Sequence, residues 1–429
     1  MRLGKIDFFI SLQENIKKIG ASKTANQAII FSFFSFLNSG INFFLLIIIA
    51  GFISPSGYGH LNLFNISVTL FGFLICLNTT GIIPVNYFRK GKLDVCKSIN
   101  TVFSLAVLCF LFLTCVVFLF GNNIEIATGI SKPYQWIALW VCFFQVFTTV
   151  NLDIWRLEEK PMAYGTYSLG LVLLNFLLTI IFIIGYSFDW LGRVYAQILS
   201  GGIFFVISIA FLIRRGYLIR MKPLRQDFKD AISFGVPLIP HSISFWLRQG
   251  LDRFFINGYH NVTVVGLFSL SLNFANIIHI IGTAFNAANS VYIYKSLAQN
   301  TEATRRSLRK QTKLMIVFFV FVTIVICLGA SVFIPICFPK YKDSISFLFF
   351  QCLGAMFQCI YLLFVNYLFY YKKTKNLMYI TFSVSLFHAV LSYWLTKYSV
   401  YYTVIIGAIS NFLIMLGVAL YTKRYYKII

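Results

Sequence analysis

Twelve apolar runs of roughly twenty residues or more follow one another along this chain, and they leave little choice of fold. They fall at about 27–53, 58–81, 99–120, 133–155, 163–186, 190–213, 231–257, 263–293, 313–338, 344–371, 376–396 and 399–421. A hydrocarbon core of roughly 30 Å takes about 20 helical residues to cross. Backbone polar groups at that depth must bond within their own helix, since no water reaches them. Only 11 % of the 429 residues are charged and the mean hydropathy is +0.80, whereas soluble chains carry about 25 % charge. The expected fold is an all-α integral membrane protein with about twelve transmembrane helices.

No connecting loop is long enough for a soluble domain. The segment "MRLGKIDFFISLQENIKKIGASKT" lacks a compact apolar core and cleavage site, and the first apolar run is too long for a signal peptide. Residues 1–26 read as a cytosolic N-terminal segment, either an interfacial helix or a frayed tail. Residues 27–213 and 231–421 form two sets of six spans, joined by the basic connector "RRGYLIRMKPLRQDFKD" (214–230) and followed by a cytosolic tail, 422–429.

The formal net charge of +23 raises the possibility of nucleic acid, but its distribution argues against that partner. Most Lys and Arg fall on the side of the termini. Lys132, Arg193, Lys340, Lys342 and Lys397 fall opposite, and Arg248 and Arg253 lie within a span. That asymmetry is the positive-inside pattern, which puts both termini in the cytosol, with attraction to anionic membrane lipid as a secondary effect. Nine cysteines are scattered singly without a CxxC pair or a neighbouring His at ligand spacing, so neither disulfide nor metal site is expected. No GxSxG, HExxH or P-loop is present, which argues against an enzyme and against any cofactor.

Internal echoes divide the chain. "GYGHLNLFNIS" around Gly59 matches "VVGLFSLSLNF" around Gly266, each after the first span of its half. Phe144-Gln145 precedes Asp153 at the spacing with which Phe357-Gln358 precedes Asn366. Six spans per half return the chain to the same side, so the halves are parallel repeats with a substrate path between them.

Polar residues inside spans are costly and usually face a bundle interior or wet cavity. His241, Ser244, Arg248 and Asp252 share one face of the seventh span, and Arg253 lies about 100° away. Two readings are open: a water-filled, anion-attracting cavity, or a self-contained Arg248–Asp252 pair at i, i+4. Asn273, Asn276, His279, Thr283, Asn286 and Asn289 form a polar seam down the eighth span, either hydrogen-bonding sugar hydroxyls or joining helices. Asn38 and Asn42 with Ser35, and Asn62, Asn65, Thr69 and Thr79, form shorter seams in the first two spans. Asp153 ends the fourth span as a structural cap or as a gating or coupling residue. His60, His260 and His388 are isolated and receive no role.

"FGVPLIPHSISFWLRQGLDRFFING" followed by "VVGLFSLSLNF", with "FISPSGYGHLNLF" and "RLEEKPMAYGTYS" in the first half, resembles the polysaccharide-biosynthesis exporters. Across essentially the whole chain the pattern is similar to the Wzx-type O-antigen flippases of the MOP superfamily. The resemblance implies a V of two six-helix lobes in a bacterial plasma membrane, with spans one, two, seven and eight lining the cavity. It implies outward movement of an undecaprenyl-diphosphate-linked oligosaccharide, with a polysaccharide polymerase and a chain-length regulator as protein partners. Arg248 and Arg253 would then offset the diphosphate, Asp252 would orient an arginine, and His241, Asn273, Asn276, His279, Asn286, Asn38 and Asn42 would take the sugars, with the polyprenyl tail left outside in lipid. The rivals are a cation-coupled multidrug exporter of the same superfamily, which would want deep carboxylates, a peptidoglycan-precursor flippase, a family that generally has two extra helices, and a polytopic glycan polymerase or acyltransferase.

Overall fold

A computed structural model describes residues 23–89, 92–218, 223–299, 301–371 and 373–426. The cytosolic helix or tail expected at residues 1–24 lies almost wholly outside the described residues. Of the tail expected at 422–429, residues 422–426 continue the last helix and 427–429 lie outside the described residues.

Helix ends follow local chemistry. α1 (Lys23–Phe52) stops at Ser54-Pro55, where the Ser54 hydroxyl accepts from the Gly57 N–H at 3.0 Å and Pro55 opens α2 (Pro55–Cys76). Leu77 and Asn78, both left-handed, end α2 before the short α3 (Ile82–Arg89). There follow α4 (Lys92–Thr128), α5 (Lys132–Leu157), α6 (Pro161–Ile180) with a π-helical extension to Gly185, and α7 (Asp189–Arg214). Pro133 and Pro161 sit in the first turns of α5 and α6, where a missing N–H costs nothing.

The seventh span departs from the expected continuous helix. It is divided into α8 (Arg225–Gly235), a 3₁₀ turn (Val236–Leu238), α9 (Ile239–Gln249) and α10 (Leu251–Tyr259). Pro237 and Pro240 remove donors from the backbone ladder, and Gly250 resists helical ordering at the second break. Residues 225–230, expected in the connector, instead form the first half of α8. After it come α11 (Val262–Gln299), α12 (Glu302–Cys337), α13 (Ile345–Tyr370), α14 (Thr374–Thr396) and α15 (Val400–Tyr426). Among the described residues, 11 helices are long and apolar enough to cross a membrane. With the broken seventh span, the chain is a multi-pass, all-helical membrane protein.

The helices form two lobes. In the first, α1 packs on α6, α5 on α7, α2 and α4, and α6 on α7. In the second, α13 is central against α11, α12 and α15, while α14 packs on α15 and α9. The lobes meet chiefly along α2 and α11.

That meeting is uneven along the membrane axis. At the end away from the termini, the two echoing glycines pack reciprocally: Gly59 lies against the Val262 carbonyl, and Gly266 against the Pro55 carbonyl. A side chain at either position would collide with backbone, which cannot yield as a flexible side chain can. Asn273 donates to the Tyr58 hydroxyl at 2.6 Å, and the Tyr341 hydroxyl donates to the Ile53 carbonyl at 3.2 Å, completing the closure. α2 also stays fastened to the broken span by Trp246 Nε1 donating to the Ile66 carbonyl at 3.3 Å and by Asn78 donating to Ser242 at 3.1 Å. Between α1 and α11, by contrast, a groove of about 580 Å³ opens toward the termini, lined by Ser32, Ser35, Ser39 and Thr283 among phenylalanines.

Candidate functional site

The broken seventh span places Arg248 near the end of α9, where it lines a C-lobe cavity of about 230 Å³ with Ser244, His279, Gln358, Tyr361 and Asn411. Its guanidinium has no acid partner within ion-pair distance among the described residues. Instead Nε donates to the Ser385 hydroxyl at 3.0 Å and Nη1 to Asn411 Oδ1 at 2.7 Å. Gln358 also donates to Asn411 Oδ1, at 3.2 Å, so neutral groups position the cation without quenching it. A part-buried cation held this way keeps its attraction for an anion, because its neighbours contribute dipoles and no net charge.

The expected Arg248–Asp252 pair does not form. The break at Gly250 lets α10 turn Asp252 toward α14, where Ser392 donates to its carboxylate at 2.5 Å and His388 Nε2 lies 3.1 Å away. His388 Nδ1 in turn meets Ser410 at 3.1 Å. Among the described residues Asp252 makes no ion pair with an arginine, and it borders a small space of about 40 Å³ beside Arg248.

Arg253 lies apart from the Arg248 cavity. It is buried in the wall of the lobe, donating to Ser269 at 2.9 Å and to the Gln249 carbonyl, with its guanidinium 5.8 Å from the Phe268 ring centre. Its Nε–H fastens α10 to α11.

The seam on α11 divides among three tasks. Asn276 lines the small space beside Arg248, His279 lines the larger cavity, and Thr283, about one turn further along the helix, lines the interlobe groove. Asn273 belongs to the closure with Tyr58. Asn286 accepts from Asn366 at 2.7 Å and Asn289 from Gln311 at 2.7 Å, which joins helices inside the C-lobe. The His241 side chain lies outside the described residues.

In the N-lobe, Asn38 donates to Ser168 at 2.9 Å and Asn42 to the Asn38 carbonyl at 3.0 Å. Both are turned into their own lobe. Asn42 lines an N-lobe cavity of about 230 Å³ with Gln145, Thr148, Asn175, Gln197 and Arg193. Arg193, read from sequence as an outer charge, is buried one turn into α7. Asp153 pairs with Arg156 at 3.2 Å, and Arg156 also donates to the Tyr164 hydroxyl at 3.2 Å, which gives it the geometry of a cap.

Beside that cap, Glu158 receives the Tyr217 hydroxyl at 2.5 Å, Lys160 at 3.0 Å and Arg215. Burial opposes its charge, but these hydrogen bonds and cations outweigh burial and hold the carboxyl below its ordinary range. The contact ties the turn after α5 to the chain leaving α7.

A polar stripe on α14 was overlooked in the sequence: Thr381, Ser385, His388, Ser392 and Thr396, spaced at four, three, four and four, all buried. Its helical period was visible, but no charge drew attention to it. Gln358 carried a signal in its echo of Gln145, whereas Asn411 carried none.

A family model described as MatE matches residues 237–394, from the 3₁₀ turn of the broken span nearly to the end of α14. Two Haemophilus influenzae proteins are similar along most of the chain. "Lsg locus putative protein 1" is 24 % identical over 340 residues, covering 78 % of this chain and 82 % of the relative. An "Uncharacterized membrane protein" is 24 % identical over 342 residues, covering 79 % and 81 %. Among solved structures, an inward-facing MATE multidrug transporter of the MOP superfamily superposes with a TM-score of 0.70 at 16 % identity, covering 91 % of this chain and 94 % of that one. The lipid II flippase MurJ, inward closed, gives 0.70 at 16 % identity, covering 92 % and 87 %. An outward-facing MATE transporter gives 0.57 at 17 % identity, covering 94 % and 95 %. The fold is that of the MATE and MurJ transporters.

Proposed function

We propose that this chain, built on a fold shared by drug exporters and a lipid-linked precursor flippase, is a flippase for polyprenyl-diphosphate-linked oligosaccharide. On this reading it moves a surface-polysaccharide repeat unit from the cytoplasmic to the outer leaflet of a bacterial plasma membrane, with both termini in the cytosol. The observation carrying it is Arg248, a part-buried cation that borders a cavity and has no acid within ion-pair distance among the described residues.

The parts divide by size. The Arg248 cavity, about 230 Å³, falls below the roughly 300–1,000 Å³ of ordinary ligand pockets and suits a headgroup rather than a glycan. The larger α1–α11 groove, with its serines and Thr283, suits the sugars. Phe33 and Phe36 are more than half exposed along that seam, which offers the lipid tail an apolar exit. Arg248 is the only cation in this account, since Arg253 is engaged within the wall. Closure at the Gly59–Gly266 crossing and opening between α1 and α11 correspond to the cytosol-facing half of an alternating-access cycle. Transfer to a polysaccharide polymerase and chain-length regulator would follow on the outer side.

The MatE match favours a second reading, a multidrug exporter with cationic cargo. Asp252 is the single acid in the spans after the connector, and it is bonded to His388 and Ser392 rather than facing the larger cavity. Proteoliposomes separate the two. The purified chain should flip a fluorescent polyprenyl-diphosphate disaccharide, and Arg248→Ala should slow it at least ~10-fold, one charge-assisted hydrogen bond being worth about 1.5–3 kcal/mol. Unchanged flipping in Arg248→Ala, or transport of cationic dyes alone, would overturn the proposal.

A further inference from the structure

We infer that the N-lobe cavity is a binding site for a small inorganic anion of halide size, held by Arg193. Arg193 is only 7 % exposed. It makes one hydrogen bond, from Nη1 to the Thr179 hydroxyl at 3.0 Å, and its buried Nε has no partner. No carboxylate among the described residues lies within ion-pair distance of it. Asp189, one turn earlier on α7, is directed elsewhere, its carboxylate filling the space a side chain at Gly57 would need.

An arginine stays charged in proteins, and leaving that charge buried without a counter-ion costs several kcal/mol. The side chain also borders open space. The cavity beside it, about 230 Å³, is bounded by the polar residues Asn42, Gln145, Thr148, Asn175 and Gln197. At about 30 Å³ per water, that volume holds an ion with a partial hydration shell but no oligosaccharide. Asn175 Oδ1 is buried without a partner, and a water of the hydrated ion would supply its donor. Every acceptor that could meet Arg193 from the protein is neutral, so the missing component is an anion. Chloride is the simplest ligand of that class.

This site is separate from the Arg248 cavity in the other lobe and does not depend on how that cavity is used. Bromide is the probe. Crystals of the full chain grown in bromide should show an anomalous peak within hydrogen-bonding distance of Arg193 Nε. In detergent, replacing a bulky organic anion by chloride should raise the melting temperature of the wild-type chain, since a ligand that binds only the folded state stabilises it. Arg193→Met should lose that chloride-dependent rise, and Arg193→Lys should keep part of it. If Arg193→Met does not fold, Gln145→Leu should weaken chloride binding at least threefold by the same titration. Wild-type crystals with no bromide at Arg193, or an equal chloride effect in wild type and Arg193→Met, would overturn the proposal.

Discussion

The two lobes carry cavities of the same size, about 230 Å³ each, bordered by glutamines that echo one another in sequence, Gln145 and Gln358. Each cavity is lined by one arginine, buried in the N-lobe and part-buried in the C-lobe. In the C-lobe, Arg248 stands near the end of a broken span, and Ser385, Asn411 and the Ser244 carbonyl fix its direction. In the N-lobe, Arg193 stands on an unbroken helix with one hydroxyl partner and a free Nε. The two lobes therefore hold an intramembrane cation differently. The C-lobe arginine is fixed by neutral partners at its cavity wall, while the N-lobe arginine is left with a free Nε at its own.

The largest expected effect tests whether the C-lobe network places Arg248. Asp252→Ala removes the carboxylate that Ser392 and His388 meet and leaves buried His388 Nε2 without its partner, which should cost about 3 kcal/mol and lower the yield of folded protein. A thermal melt of the purified variant checks this. Undiminished stability would mean that the α10–α14 contact does not hold the break in place. Next comes the crossing that both lobes share. Gly59→Ala or Gly266→Ala should cost about 1–3 kcal/mol by overpacking against a carbonyl. Either variant should also increase labelling of a cysteine placed at position 273 from the side away from the termini. No increase would show that the glycine crossing does not seal that side.

Smaller effects separate the lobes more finely. Gln358→Leu removes a ligand of Asn411 and should slow flipping about 3- to 10-fold by loosening Arg248, a loss of about 1 kcal/mol. Flipping at the wild-type rate would leave Gln358 as packing alone. A headgroup with two negative charges leaving a negative-inside vesicle gains about 4.6 kcal/mol per 100 mV if it crosses the whole field. Depolarisation should therefore slow transport, and equal rates with and without a potential would exclude this driving force.

The smallest effect lies at the N-lobe surface. Because the Glu158 carboxyl is held below its ordinary range, its contribution to stability is present at neutral pH and is lost as pH falls through its folded value. Glu158→Gln should flatten the acid limb of the melting profile by under about 1 kcal/mol, since the group is partly solvated. An unchanged limb would remove it from the balance.

Most of the architecture was legible in the sequence, because hydropathy reports span number directly and the Gly59 and Gly266 echoes mark the crossing of the lobes. The break in the seventh span was half visible in Pro237, Pro240 and Gly250, yet span length alone suggested one helix. The site was less legible. Side chains four apart, such as Arg248 and Asp252, share a face only while the helix continues, and the break at Gly250 sends them to different partners. His388 looked isolated because its partner lies 136 residues away in the chain. Arg193 looked like a loop charge because it begins a helix, where burial depends on packing that a hydropathy window does not register.

Arg248 as the receptor for a diphosphate is tested most directly by native mass spectrometry of the purified chain with matched lipids. Wild-type protein should retain polyprenyl diphosphate at least ~10-fold more tightly than the corresponding polyprenyl alcohol, and Arg248→Gln should abolish that preference. Equal retention of the diphosphate by wild type and Arg248→Gln would contradict the account.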